Sequence, residues 1–166
     1  MQIIKRERKI LIVNCYSSCW KYIPMGTFGL CDFLSQRGIE SKIFNAAIYN
    51  GNEYLTKLKR VIHDYKPNYI GLIIHWKELL ENCIFLSREI KRLFPNIKIV
   101  AGGITAGFLD EELLRRFESI DFVIKGDPEK PLSMLITKPV VTKIPNLTYR
   151  QNNRIKKNDC GYTIDK

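Results

Sequence analysis

The ten residues from Phe94 to Gly103, FPNIKIVAGG, decide how this chain folds. Pro95 cannot continue a helix, and the apolar run at 97–101 is typical of a strand that is covered on both faces. Gly102 and Gly103 follow that strand directly. Because glycine has no side chain, the backbone there can turn sharply or come close to a ligand. The segment therefore predicts a buried strand that opens onto either a tight turn or a binding site.

Short apolar runs alternate with segments of helical periodicity on both sides of this stretch. The alternation favours βαβ units, in which right-handed helical crossovers join parallel strands. We therefore predict a doubly wound α/β fold with a mainly parallel five-stranded sheet, Rossmann-like or flavodoxin-like. The predicted strands lie at 9–14, 41–45, 69–74, 97–101 and 122–125, with predicted helices at about 26–37, 53–65, 79–93, 110–117 and 128–136.

The pattern changes after Pro139. Residues 140–144 and 147–150 have the composition of extended chain, and Gln151-Asn152-Asn153 is a turn signal before 154–156. We predict a terminal β-hairpin outside the wound core, followed by a linker from about Lys157. The chain accordingly divides into a wound domain, residues 1–138, and a hairpin with linker, residues 139–166.

Composition narrows the class of protein. The 166 residues suit one compact domain, and 27 basic against 17 acidic residues give a formal charge of +10. The basic residues do not interleave with aromatic residues, so nucleic-acid binding is disfavoured. We find no signal peptide and no apolar stretch of membrane-spanning length, and the five cysteines form no disulfide framework. We expect a reduced, cytoplasmic protein in which Cys31 and Cys83 are core residues.

Ligands of such folds bind beyond the carboxyl ends of the strands, so the loops there hold the candidate residues. His75 follows the third strand as either a cofactor contact or an ordinary turn residue. Asp127 and Glu129 stand at a helix start, where capping and the helix dipole account for both without a function. The chain carries neither a Gly-x-Gly-x-x-Gly fingerprint nor a Walker phosphate loop, which removes the usual sequence support for nucleotide binding.

Cys15 and Cys19 suggest the start of an iron–sulfur motif, Cys-x-x-x-Cys-x-x-Cys. The third position is Tyr22, so the motif is incomplete, and loop cysteines beside a ligand pocket explain the pair better. The sequence assigns no Ser/His/Asp, Cys/His or paired-carboxylate arrangement to one place in the fold. The sequence supports a binding module better than an enzyme.

Together these pieces resemble the N-terminal cobalamin-binding domain of B12-dependent radical S-adenosylmethionine (SAM) proteins. The likeness spans about residues 9 to 156, and it is carried by the order and spacing of several motifs. These are Tyr22-Ile-Pro-Met-Gly26 with Leu30 and Leu34, Tyr69-Ile-Gly-Leu-Ile73, Phe94 to Gly103, Ile120 to Gly126 with Glu129, and Ile144 to Arg150 with Asn152 and Ile155.

The resemblance implies that residues 1–138 bind cobalamin and that the hairpin leads toward a radical SAM catalytic domain or a separate catalytic chain. The double glycine would let backbone lie against the cofactor's nucleotide tail, while the corrin would rest over the strand ends. The residues expected to contact the cofactor are Tyr16, Ser17, Ile73, His75, Gly102, Gly103, Ile104, Thr105, Gly126 and Glu129.

Three departures limit the resemblance. The Asp-x-His-x-x-Gly motif that supplies a lower cobalt ligand in other B12 domains is absent, so cobalamin would bind without a protein His ligand. The family's Gly-Glu-Gly-Glu appears as Gly126-Asp-Pro-Glu129. This chain lacks the cluster motif of a catalytic barrel, so we expect no iron–sulfur cluster in it and no catalysis by it alone. The alternatives are a degenerate, cofactor-free interaction module and a nucleotide-binding Rossmann-like protein.

Overall fold

The computed structural model describes residues 8–17, 21–22, 24–51, 53–137 and 140–164. Within these ranges seven strands join in one sheet, and six α-helices accompany them. The strands are β1 (Lys9–Asn14), β2 (Glu40–Asn45), β3 (Tyr69–Ile73), β4 (Lys98–Gly102), β5 (Phe122–Ile124), β6 (Leu147–Gln151) and β7 (Arg154–Lys157). The helices are α1 (Gly26–Ser35), α2 (Glu53–Tyr65), α3 (Leu80–Leu93), α4 (Ile104–Phe108), α5 (Asp110–Arg116) and α6 (Glu129–Thr137).

The strand order is β2-β1-β3-β4-β5-β6-β7, and β1 to β5 are parallel. The chain leaves β1 toward one edge of the sheet and then returns to place β3 on the other side of β1. This reversal is the topological switch point where flavodoxin-like folds bind their ligands. The predicted doubly wound fold with five parallel strands is confirmed.

The predicted C-terminal hairpin is present, but it continues the sheet and does not stand outside the wound core. β6 pairs antiparallel with β5, with Phe122 opposite Tyr149, and β7 pairs antiparallel with β6. Because an edge strand presents unpaired backbone N–H and C=O groups, pairing with β6 satisfies the outer edge of β5. The predicted boundary between residues 138 and 139 lies outside the described residues.

Both faces of the sheet are apolar, since successive side chains of each strand point to opposite faces. On one face, Ile10 and Ile12 of β1 pack with residues of α1 and α6. On the other face, Leu11 and Val13 pack with residues of α2, α3 and α5. Ala106 of α4 also belongs to this second core, so residues of α1 and α6 cover one face, and residues of α2, α3, α4 and α5 pack on the other. No described helix combines the length and apolarity needed to cross a membrane.

Two local predictions are wrong. Residues 104–108 form the short helix α4 where a loop was expected after the double glycine. Val141–Lys143 is a 3-10 turn and not an extended segment. In both places the pattern of apolar residues is too short to separate one helical turn from extended chain.

Asp110 ties α5 to the hairpin. The residue is 3% exposed. The carboxylate accepts a hydrogen bond of 2.7 Å from Thr148 Oγ1 of β6, and it lies 3.2 Å from Lys157 Nζ of β7 and 3.7 Å from Lys125 Nζ. Burial raises the pKa of Asp110, but the bonds from Thr148, the Glu111 backbone and Lys157, with the charge of Lys125, outweigh burial and hold that pKa below its usual value. Asp110 therefore holds the start of α5 to both strands of the hairpin.

We predict that Asp110→Asn lowers the free energy of unfolding at pH 7 by about 2 kcal/mol, the scale of a hydrogen bond to a charged group. Because the folded-state pKa is depressed, the stabilisation from Asp110 is full above the unfolded pKa of about 4 and is lost as the pH falls through the folded value. Urea unfolding at pH 7 and pH 3 measures both effects, and the variant should lose less stability between the two pH values. Glu118→Gln, which changes an exposed carboxylate beyond α5, is the control and should behave as the wild type at pH 7.

Candidate functional site

A cavity of about 900 Å³ opens at the carboxyl ends of the central strands, on the face covered by α1 and α6. Its volume falls in the range of small-molecule sites, roughly 300–1,000 Å³. Strand residues form its floor, α1 and α6 form two walls, and α4 and the segment after β5 complete the rim. The floor includes Ile12, Gly71, Ile73, Val100, Gly102 and Ile124.

Gly102 leaves space in this floor. Among the described atoms, a Cβ added at Gly102 would meet one within 4 Å, the carbonyl oxygen of Ile124 at 3.9 Å. Gly71 of β3 lies one strand away, and a Cβ there would make ordinary contacts with Ile10 and Ile12. Two neighbouring strands therefore carry no side chain on part of the pocket floor, which gives the cavity its depth.

Position 103 requires glycine because of its backbone conformation and its close contact with a neighbouring segment. It has φ of +105°, and a Cβ added to it would lie 2.8 Å from the carbonyl oxygen of Ile74 and 3.1 Å from the backbone nitrogen of His75. A hydrogen bond also joins the two backbone segments, since Ile74 N–H donates to the Gly102 carbonyl at 2.8 Å. The two glycines thus differ in their roles: Gly102 leaves volume, and Gly103 permits a conformation and a close approach.

The rim of the pocket is apolar and open to solvent. Met25 at the start of α1 is 75% exposed, and Phe108 at the end of α4 is 83% exposed. Trp76 and Ile104 are also exposed and line the same opening. Large apolar side chains that are grouped and exposed in this way indicate a surface that meets a ligand or another protein.

Two buried polar atoms of the pocket lining have no hydrogen-bond partner within the described part of the chain. They are Tyr22 Oη and Glu129 Oε2. Burial, followed by the nearby thiols of Cys15 and Cys83, raises the pKa of Tyr22, so its hydroxyl stays protonated and can donate. A buried polar group without a partner costs free energy, so a ligand that bonds to Glu129 Oε2 would recover that cost.

The structure brings most of the predicted cofactor contacts to this pocket. Tyr16, Ser17 and Thr105 lie outside its lining: the Tyr16 ring stacks on Tyr54 with centroids 5.2 Å apart, and Ser17 is buried. Thr105 Oγ1 donates to the His75 carbonyl at 3.1 Å, which fastens α4 to the segment after β3. The predicted residues that line the pocket are Ile73, His75, Gly102, Gly103, Ile104, Gly126 and Glu129.

Besides Ile104 and Glu129, helices α1, α4 and α6 line the pocket with side chains that were not predicted to contact the cofactor. These are Thr27 and Leu30 on α1, Phe108 on α4 and Leu132 on α6. The helical spacing on α1 and α6 predicts a core face, and it does not show that part of this face borders a cavity. The signal that could have found the α1 residues is the Tyr22-to-Gly26 motif, which carried part of the family likeness.

Cys15 does not lie beside the pocket as predicted. It is buried in the core on the opposite face, with its Sγ 2.6 Å from that of Cys83. Cys83 is a core residue as predicted, Cys31 is half-buried, and Cys19 lies outside the described residues. No group of three or more His, Cys, Asp or Glu side chains in the described ranges could hold a metal ion.

Comparisons with known proteins agree with this architecture. The family model for the B12 binding domain matches residues 11–136. The radical SAM methyltransferase TsrM from Kitasatospora setae, solved with cobalamin and a [4Fe-4S] cluster bound, superposes with a TM-score of 0.82 at 20% identity over 96% of this chain. The cobalamin-dependent SAM radical enzyme OxsB, with aqua-cobalamin and SAM bound, gives 0.74 at 16% identity over 95% of this chain.

This chain spans 30% of the TsrM chain and 23% of the OxsB chain. At such identities the structural likeness shows the fold. Among curated proteins, no sequence matches this chain.

The different roles of the two glycines can be tested by stability. We expect Gly103→Ala to lower the free energy of unfolding by about 2 kcal/mol, because it forces a side chain into a glycine-only backbone region and against the Ile74 carbonyl. Gly102→Ala should leave stability within about 1 kcal/mol of the wild type, since alanine is tolerated better than glycine within strands. Urea unfolding of the two variants measures the contrast, and equal losses would contradict this assignment.

Proposed function

This chain belongs to the B12-binding domain family, and we propose that it holds cobalamin in the pocket over β3, β4 and β5. The observation that carries the proposal is the glycine-floored, 900 Å³ cavity at the carboxyl edge of the sheet. The nucleotide tail of the cofactor would enter this cavity, and the corrin would rest over its mouth. The structural relatives support the proposal, because both are cobalamin-bound radical SAM enzymes.

The residues of the pocket fit the chemistry of the tail. Its heterocycle is flat and apolar, which suits a floor formed by Gly71, Gly102 and Val100. The tail and the corrin amides also carry hydrogen-bond donors and acceptors. Glu129 Oε2 would accept from such a donor, which would give a partner to a buried atom that lacks one among the described residues.

The apolar rim fits the corrin. Met25, Trp76, Ile104 and Phe108 present exposed hydrophobic surface at the opening, and a macrocycle placed there would remove part of it from water. These four residues would orient the corrin and shield part of it from water. His75 also lines the pocket, and we propose that it contacts the cofactor without binding the cobalt.

Bound cobalamin would supply methyl transfer or related radical chemistry to a radical SAM partner, which is either a further domain or a separate chain. The residues of this chain would bind and orient the cofactor, and the iron–sulfur cluster would belong to the partner. In this proposal residues 1–138 form the cofactor domain, and residues 139–166 connect it toward the partner.

Titration with hydroxocobalamin tests the proposal, with absorbance of the bound corrin as the measurement. We expect saturable binding to the wild type and binding at least about tenfold weaker, or 1.4 kcal/mol, to Gly102→Val. The valine would fill the floor of the pocket while suiting a strand. Gly29→Val is the matched control: Gly29 lies exposed on α1, with open space around its Cβ and outside the pocket lining, so binding should be unchanged.

Absence of binding to the wild type at high micromolar hydroxocobalamin would refute the proposal. It would favour the alternative of a cofactor-free module that buries its apolar rim against another protein. Equal affinities of the wild type and Gly102→Val would move the binding site away from this pocket.

The absence of a histidine ligand to cobalt has a spectroscopic test. We expect His75→Ala to bind hydroxocobalamin with absorbance maxima at the wild-type wavelengths, although its affinity falls through loss of a contact. A change of axial ligand would shift those maxima, so a shifted spectrum in the variant would show that His75 binds cobalt. His63→Ala, which changes an exposed histidine on α2, is the control.

A further inference from the structure

Residues 158–164, predicted as a linker, are fastened to the domain. Asn158 Nδ2 donates to the carbonyls of Val141 and Ile144 at 2.6 and 2.7 Å. At the other end of the segment, Ile164 N–H donates to Asp127 Oδ2 at 2.8 Å. Lys130 Nζ of α6 lies 5.6 Å from the centre of the Tyr162 ring. We call residues 158–164 the C-terminal strap.

Asn146 holds the middle of the strap. Its Nδ2 donates to the Tyr162 carbonyl at 2.8 Å, and its Oδ1 accepts from the Tyr162 backbone N–H at 3.2 Å. Its own backbone N–H donates to the Asp159 carbonyl at 2.9 Å. Asn146 is 3% exposed and has φ of +59°, a conformation that asparagine adopts more readily than most residues. One buried side chain thus makes two bonds to the backbone of a segment 16 residues away.

The same residue contacts the wall of the pocket. The Asn146 carbonyl accepts from Lys125 N–H at 2.9 Å, and its Nδ2 lies 3.7 Å from where a Cβ of Gly126 would stand. Lys125, Gly126 and Asp127 all line the pocket, and Asp127 also accepts from the strap. The segment between β5 and α6 therefore lies between the cofactor pocket and the strap.

We propose that Asn146 is a positioning residue of the pocket, through which docking of the C-terminal strap and binding of the cofactor stabilise each other. The inference rests on the proposed cobalamin function and adds a coupled element to it. The strap supports the segment 125–129 from outside, and a ligand in the pocket supports it from inside. Because coupling between two binding events is reciprocal, cofactor binding must protect the strap if the strap strengthens cofactor binding.

Hydrogen exchange of residues 158–164, followed by mass spectrometry with and without hydroxocobalamin, tests this coupling in the wild-type chain. We expect the corrin to slow exchange in the strap several-fold. We expect Asn146→Gly to speed that exchange and to weaken hydroxocobalamin binding about fivefold, the lower end of typical coupling. Glycine keeps the positive φ while removing both side-chain bonds. Asn146→Asp, which retains an acceptor for Tyr162 N–H and loses the donor, should fall between the two.

Asn153→Gly is the matched control. Asn153 also has a φ of +59°, but it lies exposed in the turn between β6 and β7, so both measurements should equal those of the wild type. Binding of hydroxocobalamin without slower exchange in residues 158–164 of the wild type would overturn the coupling and leave the proposed function intact. Equal affinities for Asn146→Gly and the wild type would do the same. No binding to the wild type would overturn the proposed function, and the coupling with it.

Discussion

The close approach of two backbone segments, Gly103 against Ile74, governs the site of this protein. No side chain at position 103 could begin 2.8 Å from that carbonyl, so the chain turns directly from β4 into α4. This turn sets Ile104 and Phe108 at the mouth of the pocket and leaves Gly102 in its floor. One steric constraint thereby shapes both the contact of α4 with Ile74 and His75, which follow β3, and the opening of the pocket.

The two faces of the sheet differ in their packing, since only one of them borders the cavity described above. One face packs against residues of α2, α3, α4 and α5, and the thiols of Cys15 and Cys83 are buried in that core. The other face has α1 and α6, and the space between them and the carboxyl edge of the sheet becomes the cavity. Tyr22 lies between the two environments: the residue lines the cavity, and burial, followed by the nearby thiols of Cys15 and Cys83, raises the pKa of its hydroxyl. Small-molecule sites of this kind combine an apolar lining with a few polar atoms.

The strands β6 and β7 extend the sheet beyond β5, where they pair antiparallel. The hairpin satisfies the outer edge of β5 and brings Thr148 and Lys157 to the buried carboxylate of Asp110. It also places Asn146 directly behind the segment that follows β5. The C-terminal part of the chain is therefore a structural neighbour of the pocket, although it comes from a separate region of the sequence.

The sequence by itself determined the doubly wound fold, because apolar runs such as 10–13 and 69–74 alternate with segments of helical periodicity. It also identified Gly102, Gly103, His75 and Glu129 as residues at the ligand edge, since the carboxyl ends of parallel strands meet there. Only the tertiary structure decided the rest. Whether Cys15 faces a pocket or a core, and whether Asn146 can reach Tyr162, depends on long-range packing and hydrogen bonds that local periodicity does not encode.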